Sequence, residues 1–558
     1  MVRATAVLIA ISACRIPSLD GSSDSGGGIE TGEIGQDDTH TGDTAQDACF
    51  SADLPWASTT SGCVTGTSFA HGEAFLGLPY AQPPTGARRF LPPEPADPWV
   101  VPYAAEELGS PCLQTYDSAD GALRDGEGDE DCLTLNIWRP EGASGLPLIF
   151  FVHGGGFLNG SGGVDELAND PTLAHDAVVV THNARLGPFG YLAHPGLDAR
   201  SKQGVSGNQG VLDTMLALRW VNDNAEALGA DPDRVLLVGQ ESGGLVACTL
   251  LLSPLAEGLF DGVFLQSAPC GLLSLPLTDI DPSDAYKSAE DAGEALAEAL
   301  SCKGSAEEQL ACLQDRPAAG VLGALVARPA PLMDGAPWEP TVDGYVLPDT
   351  AVALLGAGLA RDVPVFAGVN ADEGTRYASE IRADEVTEIS LPFAIPNLIE
   401  VGGGDASTFP SDLYTKNLYG SESAAYIAFY GDFIHTCPTR GFLRALSTLN
   451  EDVYAYTFTH TPSYVDPALG AFTGAELPFL FGTRTELFAG NESLISAWLQ
   501  SAWLWSLDPL PVVIGVGQWP DFEGDDWVLF GDGAEPGTDD DPYDDVCDAI
   551  DATGWQVY

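Results

Sequence analysis

The sequence predicts an α/β fold built on a mostly parallel, doubly wound central sheet with helical insertions. Two observations carry that expectation. Apolar runs of strand length alternate with helix-compatible segments through the middle of the chain, the rhythm of strand, crossover helix and parallel strand. One of those runs, Val235-Leu236-Leu237-Val238, feeds the glycine-bracketed corner Gly239-Gln240-Glu241-Ser242-Gly243-Gly244 and then a second helix-compatible stretch. A sharp strand-to-helix turn with glycine two places before and two after its central residue holds that residue out on a strained backbone, where a reactive side chain is displayed. The central residue here is Glu241.

Composition narrows the partners. With 558 residues and 45% hydrophobic content, the chain can bury one large core with long insertions. Its 81 acidic against 22 basic residues give a formal net charge of −59. Such a surface repels phosphates and anionic headgroups, which argues against nucleic acid and against a membrane except through an anchor. High acidity serves solubility or suits salty surroundings. The run Asp539-Asp540-Asp541-Pro542-Tyr543-Asp544-Asp545 lacks the spacing of a calcium loop, and neither a metal site nor a cofactor is expected.

Taken in order, the chain begins with a targeting signal. Arg3 precedes the apolar stretch from Ala4 to Ile11, and Ile11-Ser12-Ala13-Cys14 reads as a lipobox whose cysteine is acylated after cleavage. Residues 1–14 are thus expected to export a cell-envelope lipoprotein; an ordinary cleaved signal and secretion is the alternative. The apolar run is too short to span a bilayer. Residues 15–48, rich in Gly, Ser, Thr and Asp, read as a flexible acidic tether, and 49–558 as the globular domain. Export to an oxidising compartment lets the other ten of the 11 cysteines pair.

Within the domain come Phe75-Leu76-Gly77-Leu78-Pro79-Tyr80-Ala81-Gln82-Pro83-Pro84 and then Glu130-Asp131-Cys132-Leu133-Thr134-Leu135-Asn136-Ile137-Trp138. A strand from Pro147 to Val152 runs into His153-Gly154-Gly155-Gly156-Phe157. Another, from Ala177 to Thr181, leads to Asn183-Ala184-Arg185-Leu186-Gly187. Apolar spacing through Leu212, Met215, Leu216, Leu218 and Trp220 marks a helix opened at Gly207-Asn208-Gln209-Gly210 and closed before Gly229. Buried strands follow at 262–267 and 363–370, with a helical insertion between them from about Asp284 to Leu332. Near the end lies Gly470-Ala471-Phe472-Thr473-Gly474-Ala475-Glu476-Leu477-Pro478.

These motifs together resemble the type-B carboxylesterase and cholinesterase family, which has the α/β-hydrolase fold, and the resemblance runs from the end of the tether to about Val528. It implies a serine nucleophile, a histidine base, an acid and an oxyanion hole. The ungapped flanks place Glu241 on the serine position, while Ser242 has Gln240 two before it and Gly244 two after. A slipped but reactive Ser242 is the other reading of the corner. Glu373 stands at the triad acid position, or is simply a turn residue at a strand end. Thr473 stands where the base should be, and no histidine follows His460. His153, His435 and His460 read as structural. The oxyanion hole is expected from the N–H groups of Gly155, Gly156 and Ser242, with the carboxylate of Glu241 facing those donors. The resemblance also implies disulfides Cys112 to Cys132, Cys302 to Cys312 and Cys437 to Cys547. Cys49 with Cys63 and Cys248 with Cys270 are the leftover pairs. Tyr116 is the one aromatic in the loop where cholinesterases hold a cation against tryptophan. The reading is therefore a non-hydrolytic recognition protein for a small-molecule ester or protein ligand, against the alternative of a carboxylic ester hydrolase using Ser242 and an unrecognised base.

Overall fold

The computed structural model describes residues 54–554 apart from 71, 115, 118–122, 125–127, 165–166, 168–170, 271–275, 279–287, 325–337, 379–380, 382, 402, 451, 509–510, 523–525 and 534. The signal segment with Cys14, the tether and Cys49 lie outside the described residues. An 11-stranded sheet forms the centre. Its strands in chain order are β1 (Thr67–Phe69), β2 (Gly72–Pro79), β3 (Thr134–Arg139), β4 (Leu146–Val152), β5 (Val178–His182) and β6 (Ala230–Gln240). They continue with β7 (Gly262–Gln266), β8 (Val365–Asn370), β9 (Val453–Phe458), β10 (Asp526–Phe530) and β11 (Gly537–Asp540). Across the sheet the order is β11-β10-β9-β8-β7-β6-β4-β5-β3-β2-β1. Strands β5 to β10 and β4 run parallel, and antiparallel strands close both edges.

The strands at the centre are apolar without interruption because both faces are covered. Successive side chains alternate between two cores: Leu148, Phe150, Val152 and Leu237 join one, Ile149, Phe151, Leu236 and Val238 the other. Helices α1 (Gln209–Leu228) and α2 (Ser242–Leu252) cover the first face, through Val211, Met215, Leu218 and Val246. Gly229 closes α1 in the left-handed region at φ 83°, as the sequence predicts. One strand start differs: β6 begins at Ala230, well before Val235, and its pairing with β4 shifts register between those two residues, around Pro232.

The insertion holds α3 (Ala289–Ala299) and α4 (Ala306–Asp315), each started by a reciprocal cap, Ser288 with Asp291 and Ser305 with Glu308. Farther along, α5 (Leu391–Val401), α6 (Glu422–Gly431) and α7 (Cys437–Ser447) precede α8 (Glu492–Trp505) and α9 (Asp544–Asp551). Ile495, Trp498 and Trp503 of α8 pack on the second face of the sheet. Leu398, Phe429, Phe433, Cys437 and Ile550 form a third, smaller apolar cluster.

Four disulfides join Cys112 to Cys132, Cys248 to Cys270, Cys302 to Cys312 and Cys437 to Cys547. Cys63 is disulfide-bonded as well. Beside the last bridge, buried Arg440 of α7 reaches Asp541 at 2.5 Å, Asp544 at 3.0 Å and Asp548 at 2.8 Å, which fixes α9. Among the described residues no helix is long and apolar enough to cross a membrane.

Candidate active site

The chain leaves β4 for β5 on one side and returns through α1 to β6 on the other. Loops leaving β4 and β6 therefore diverge, and the crevice between them is where open α/β sheets place their sites. Register sets the two loops side by side, since Gly239 of β6 pairs with Val152 of β4.

Glu241 occupies the corner with φ 53° and ψ −119°. For a residue with a side chain, such a conformation costs on the order of 1–3 kcal/mol and persists only where the surroundings impose it. Here its N–H donates to the carbonyl of Gln266 at 2.8 Å, and its carbonyl accepts from Leu245 at 3.1 Å. The flanking glycines are a matter of space: a Cβ on Gly243 would lie 2.2 Å from the carbonyl oxygen of Val152, and one on Gly239 would lie 2.4 Å from that of Gly243.

The side chain of Glu241 turns back into the glycine loop. Its Oε2 accepts from the N–H of Gly155 at 2.7 Å and of Gly156 at 3.0 Å. Burial alone would raise this carboxyl. The N–H of Ser242, those of Gly155 and Gly156, and the Ser242 hydroxyl outweigh it and hold the group below its ordinary value. Ser242 is buried at the first position of α2, next to that carboxylate in the chain.

On the opposite arm, Glu373 opens a short 3-10 turn just after β8. Its Oε1 accepts from the N–H of Asn370 at 2.8 Å, and its Oε2 accepts from the Thr473 hydroxyl at 2.5 Å. That hydroxyl also reaches the Glu373 carbonyl at 3.0 Å. Thr473 and Glu373, far apart in sequence, are thus joined through the Thr473 hydroxyl.

A further carboxyl sits behind them. Glu476 accepts from Asn370 Nδ2 at 2.5 Å and from Gln266 Nε2 at 2.9 Å, and burial pushes its carboxyl up to about 7. Sequence reasoning assigned Glu476, Asn370 and Gln266 no role. The available signal was an acid three places after Thr473 in an apolar stretch, followed by Leu477, Pro478 and Phe479. Tyr377 was also missed. Half-buried against the third apolar cluster, its hydroxyl is raised well above its ordinary value, first by desolvation and then by the fields of Glu241 and Glu373.

Among the described residues, no histidine nitrogen hydrogen-bonds to Glu241, Ser242, Glu373 or Thr473. His153 Nδ1 lies 2.9 Å from the carbonyl of Gly154, and burial lowers its imidazole. His435 is buried with Nδ1 at 3.1 Å from the carbonyl of Ser267, and its ring stacks on Tyr377 at 5.5 Å. That ring contact brings His435 nearer to the site than its place in the sequence suggested. His460 is held between Glu492, at 2.9 Å, and Asp532. No cluster of three metal-ligating side chains occurs among the described residues.

Comparison with known proteins matches this architecture. The model of the carboxylesterase family fits residues 53–504. The fumonisin B1 esterase of Sphingopyxis macrogoltabida is 31% identical over 481 residues, 83% of this chain and 84% of that protein. The acetylcholinesterase of Bungarus fasciatus is 30% identical over 460 residues, 76% of this chain and 73% of that one. Among solved structures, a PNB esterase superposes with a TM-score of 0.73 at 28% identity, covering 89% of this chain and 100% of its own. With these relatives and the parallel sheet, glycine loop and strand-to-helix corner described above, the chain belongs to the carboxylesterase family, of type B and with the α/β-hydrolase fold.

Proposed function

We propose that this protein is an exported, Cys14-anchored member of the family that binds a ligand and does not hydrolyse esters. One observation carries the reading: the carboxylate of Glu241 accepts the N–H groups of Gly155 and Gly156 that would otherwise stabilise the oxyanion of an acyl-transfer intermediate. An ester carbonyl entering the crevice meets an anion where it needs donors. The second arm supports the same conclusion, because the Thr473 hydroxyl that holds Glu373 has no basic nitrogen to take a proton from a nucleophile. Ser242 is a poor substitute, since among the described residues no histidine nitrogen hydrogen-bonds to its hydroxyl to take the proton.

The deciding experiment is hydrolysis of a short-chain aryl ester by the purified protein, run beside a fluorophosphonate probe and intact mass measurement. The expected result is no turnover and no adduct. Stoichiometric labelling at Ser242 would instead establish an esterase working from the neighbouring serine.

A further inference from the structure

Helix α5 is apolar on its inner side and, at its start, on its outer side as well, while farther along the outer side carries Asn397 and Glu400. Leu391, Ile395, Leu398 and Ile399 are buried in the third cluster. On the other side, Ile389 in the turn before the helix is 82% exposed and Phe393 is 72% exposed, with Pro392 also exposed between them. A helix on a protein surface ordinarily carries polar residues on its outer face, as α5 does at Asn397 and Glu400, and the exposed apolar residues at its start depart from that pattern. The outer face is not a fraying end. Thr387 and Ser390 cap each other, N–H of Thr387 to the Ser390 hydroxyl at 2.8 Å and N–H of Ser390 to the Thr387 hydroxyl at 3.3 Å. The N–H groups of Phe393 and Ala394 both donate to the carbonyl of Ser390 at 2.9 Å. The first turn, and with it the spacing of Ile389 and Phe393, is set before anything binds.

Charge around the face selects what covers it. From Ala383 to Val401 the sequence holds Asp384, Glu385, Glu388 and Glu400 and no basic residue, and all four acids are exposed. An apolar centre with an acidic rim repels a second copy of itself, and it repels anionic lipid. It complements a segment with apolar side chains on one face and lysine or arginine around them. The geometry points to the outer face of α5, centred on Ile389 and Phe393, as the docking surface for a cationic amphipathic segment of a partner protein. The assignment stands whether or not Glu241 silences the corner.

The test uses the full chain and a helical leucine/lysine peptide, with a leucine/glutamate peptide, zwitterionic phosphatidylethanolamine vesicles and sedimentation of the protein alone as parallel arms. The expected result is saturable binding of the cationic peptide that weakens with salt. Replacing both anchors, Ile389→Ser with Phe393→Ser, weakens it by about tenfold or more, as loss of central apolar contacts does. Both positions are exposed, so the thermal melt of the double variant stays that of the parent, and Glu385→Gln with Glu388→Gln flattens the salt dependence without abolishing binding. Peptide binding unchanged in the serine variant would mean attraction to the net charge alone and would overturn the assignment. So would equal binding of the acidic peptide, or vesicle binding or self-association that the serine variant abolishes.

Discussion

At the scale of single residues, the contact between Glu241 and the glycine loop makes the sharpest predictions. A carboxamide at 241 loses the charge-assisted part of that contact, so Glu241→Gln should lower stability by about 1–3 kcal/mol. The sign with pH follows from the lowered proton affinity of the carboxyl: the stability it contributes is complete above the ordinary glutamate value of 4.5 and is lost as pH falls through the lower folded value. Melting temperatures of parent and variant should therefore differ at neutral pH and converge on acidification. On the proposed reading, ester hydrolysis returns only when both arms are changed, because triad members act as a unit. Glu241→Ser alone and Thr473→His alone should leave aryl ester hydrolysis near background. The double change, with Glu373 already held at the end of β8, should hydrolyse measurably. A single Glu241→Ser variant as active as the double would mean a base other than residue 473, and His435 behind Tyr377 would be the first to replace. The positions of Glu241, Glu373 and Thr473 could be named from the sequence because each sits in a local motif. The pairing of Glu476 with Asn370 could not, since it joins the end of β8 to a turn over a hundred residues away.

At the scale of elements, the central strands and α1 were legible because their signals are local: unbroken apolar runs at 147–152 and 235–238, and a helical period ended by Gly229. The early start of β6 was not, because Asp231-Pro232-Asp233 carries no strand signal and only Ala230 before it pairs with β4, ahead of a register shift to Val235. The pairing of Cys437 with Cys547 was likewise beyond spacing alone and came through the family likeness. That bridge closes the longest of the four loops, with a separation of 110 residues, and it holds α9 against α7 beside Arg440. Its removal, Cys437→Ser with Cys547→Ser, should cost the most of the four, on the order of 4–5 kcal/mol if loop entropy alone acts. Equilibrium denaturation of this variant beside Cys302→Ser with Cys312→Ser, whose loop spans 10 residues, checks the ranking.

At the scale of the whole molecule, the net charge of −59 stores self-repulsion that salt relieves. Melting temperature should rise with sodium chloride as the screening length shortens from about 30 Å at 0.01 M to about 3 Å at 1 M. A flat or falling melt would place the excess acids too far apart to matter. The few cations are unevenly placed. Arg89, Arg139, Arg185 and Arg440 are all buried, and they bind Glu130, Glu73, Asp213 and Asp541 in turn. Cations drawn inward in this way take those four positions out of reach of an enzyme that cleaves after arginine, while Arg88, Arg200, Lys202, Arg219, Lys303, Arg376 and Lys416 stay exposed to it. The arginines that hold the fold together are thus the ones whose peptide bonds it withholds from cutting, and limited proteolysis of the folded chain should begin elsewhere.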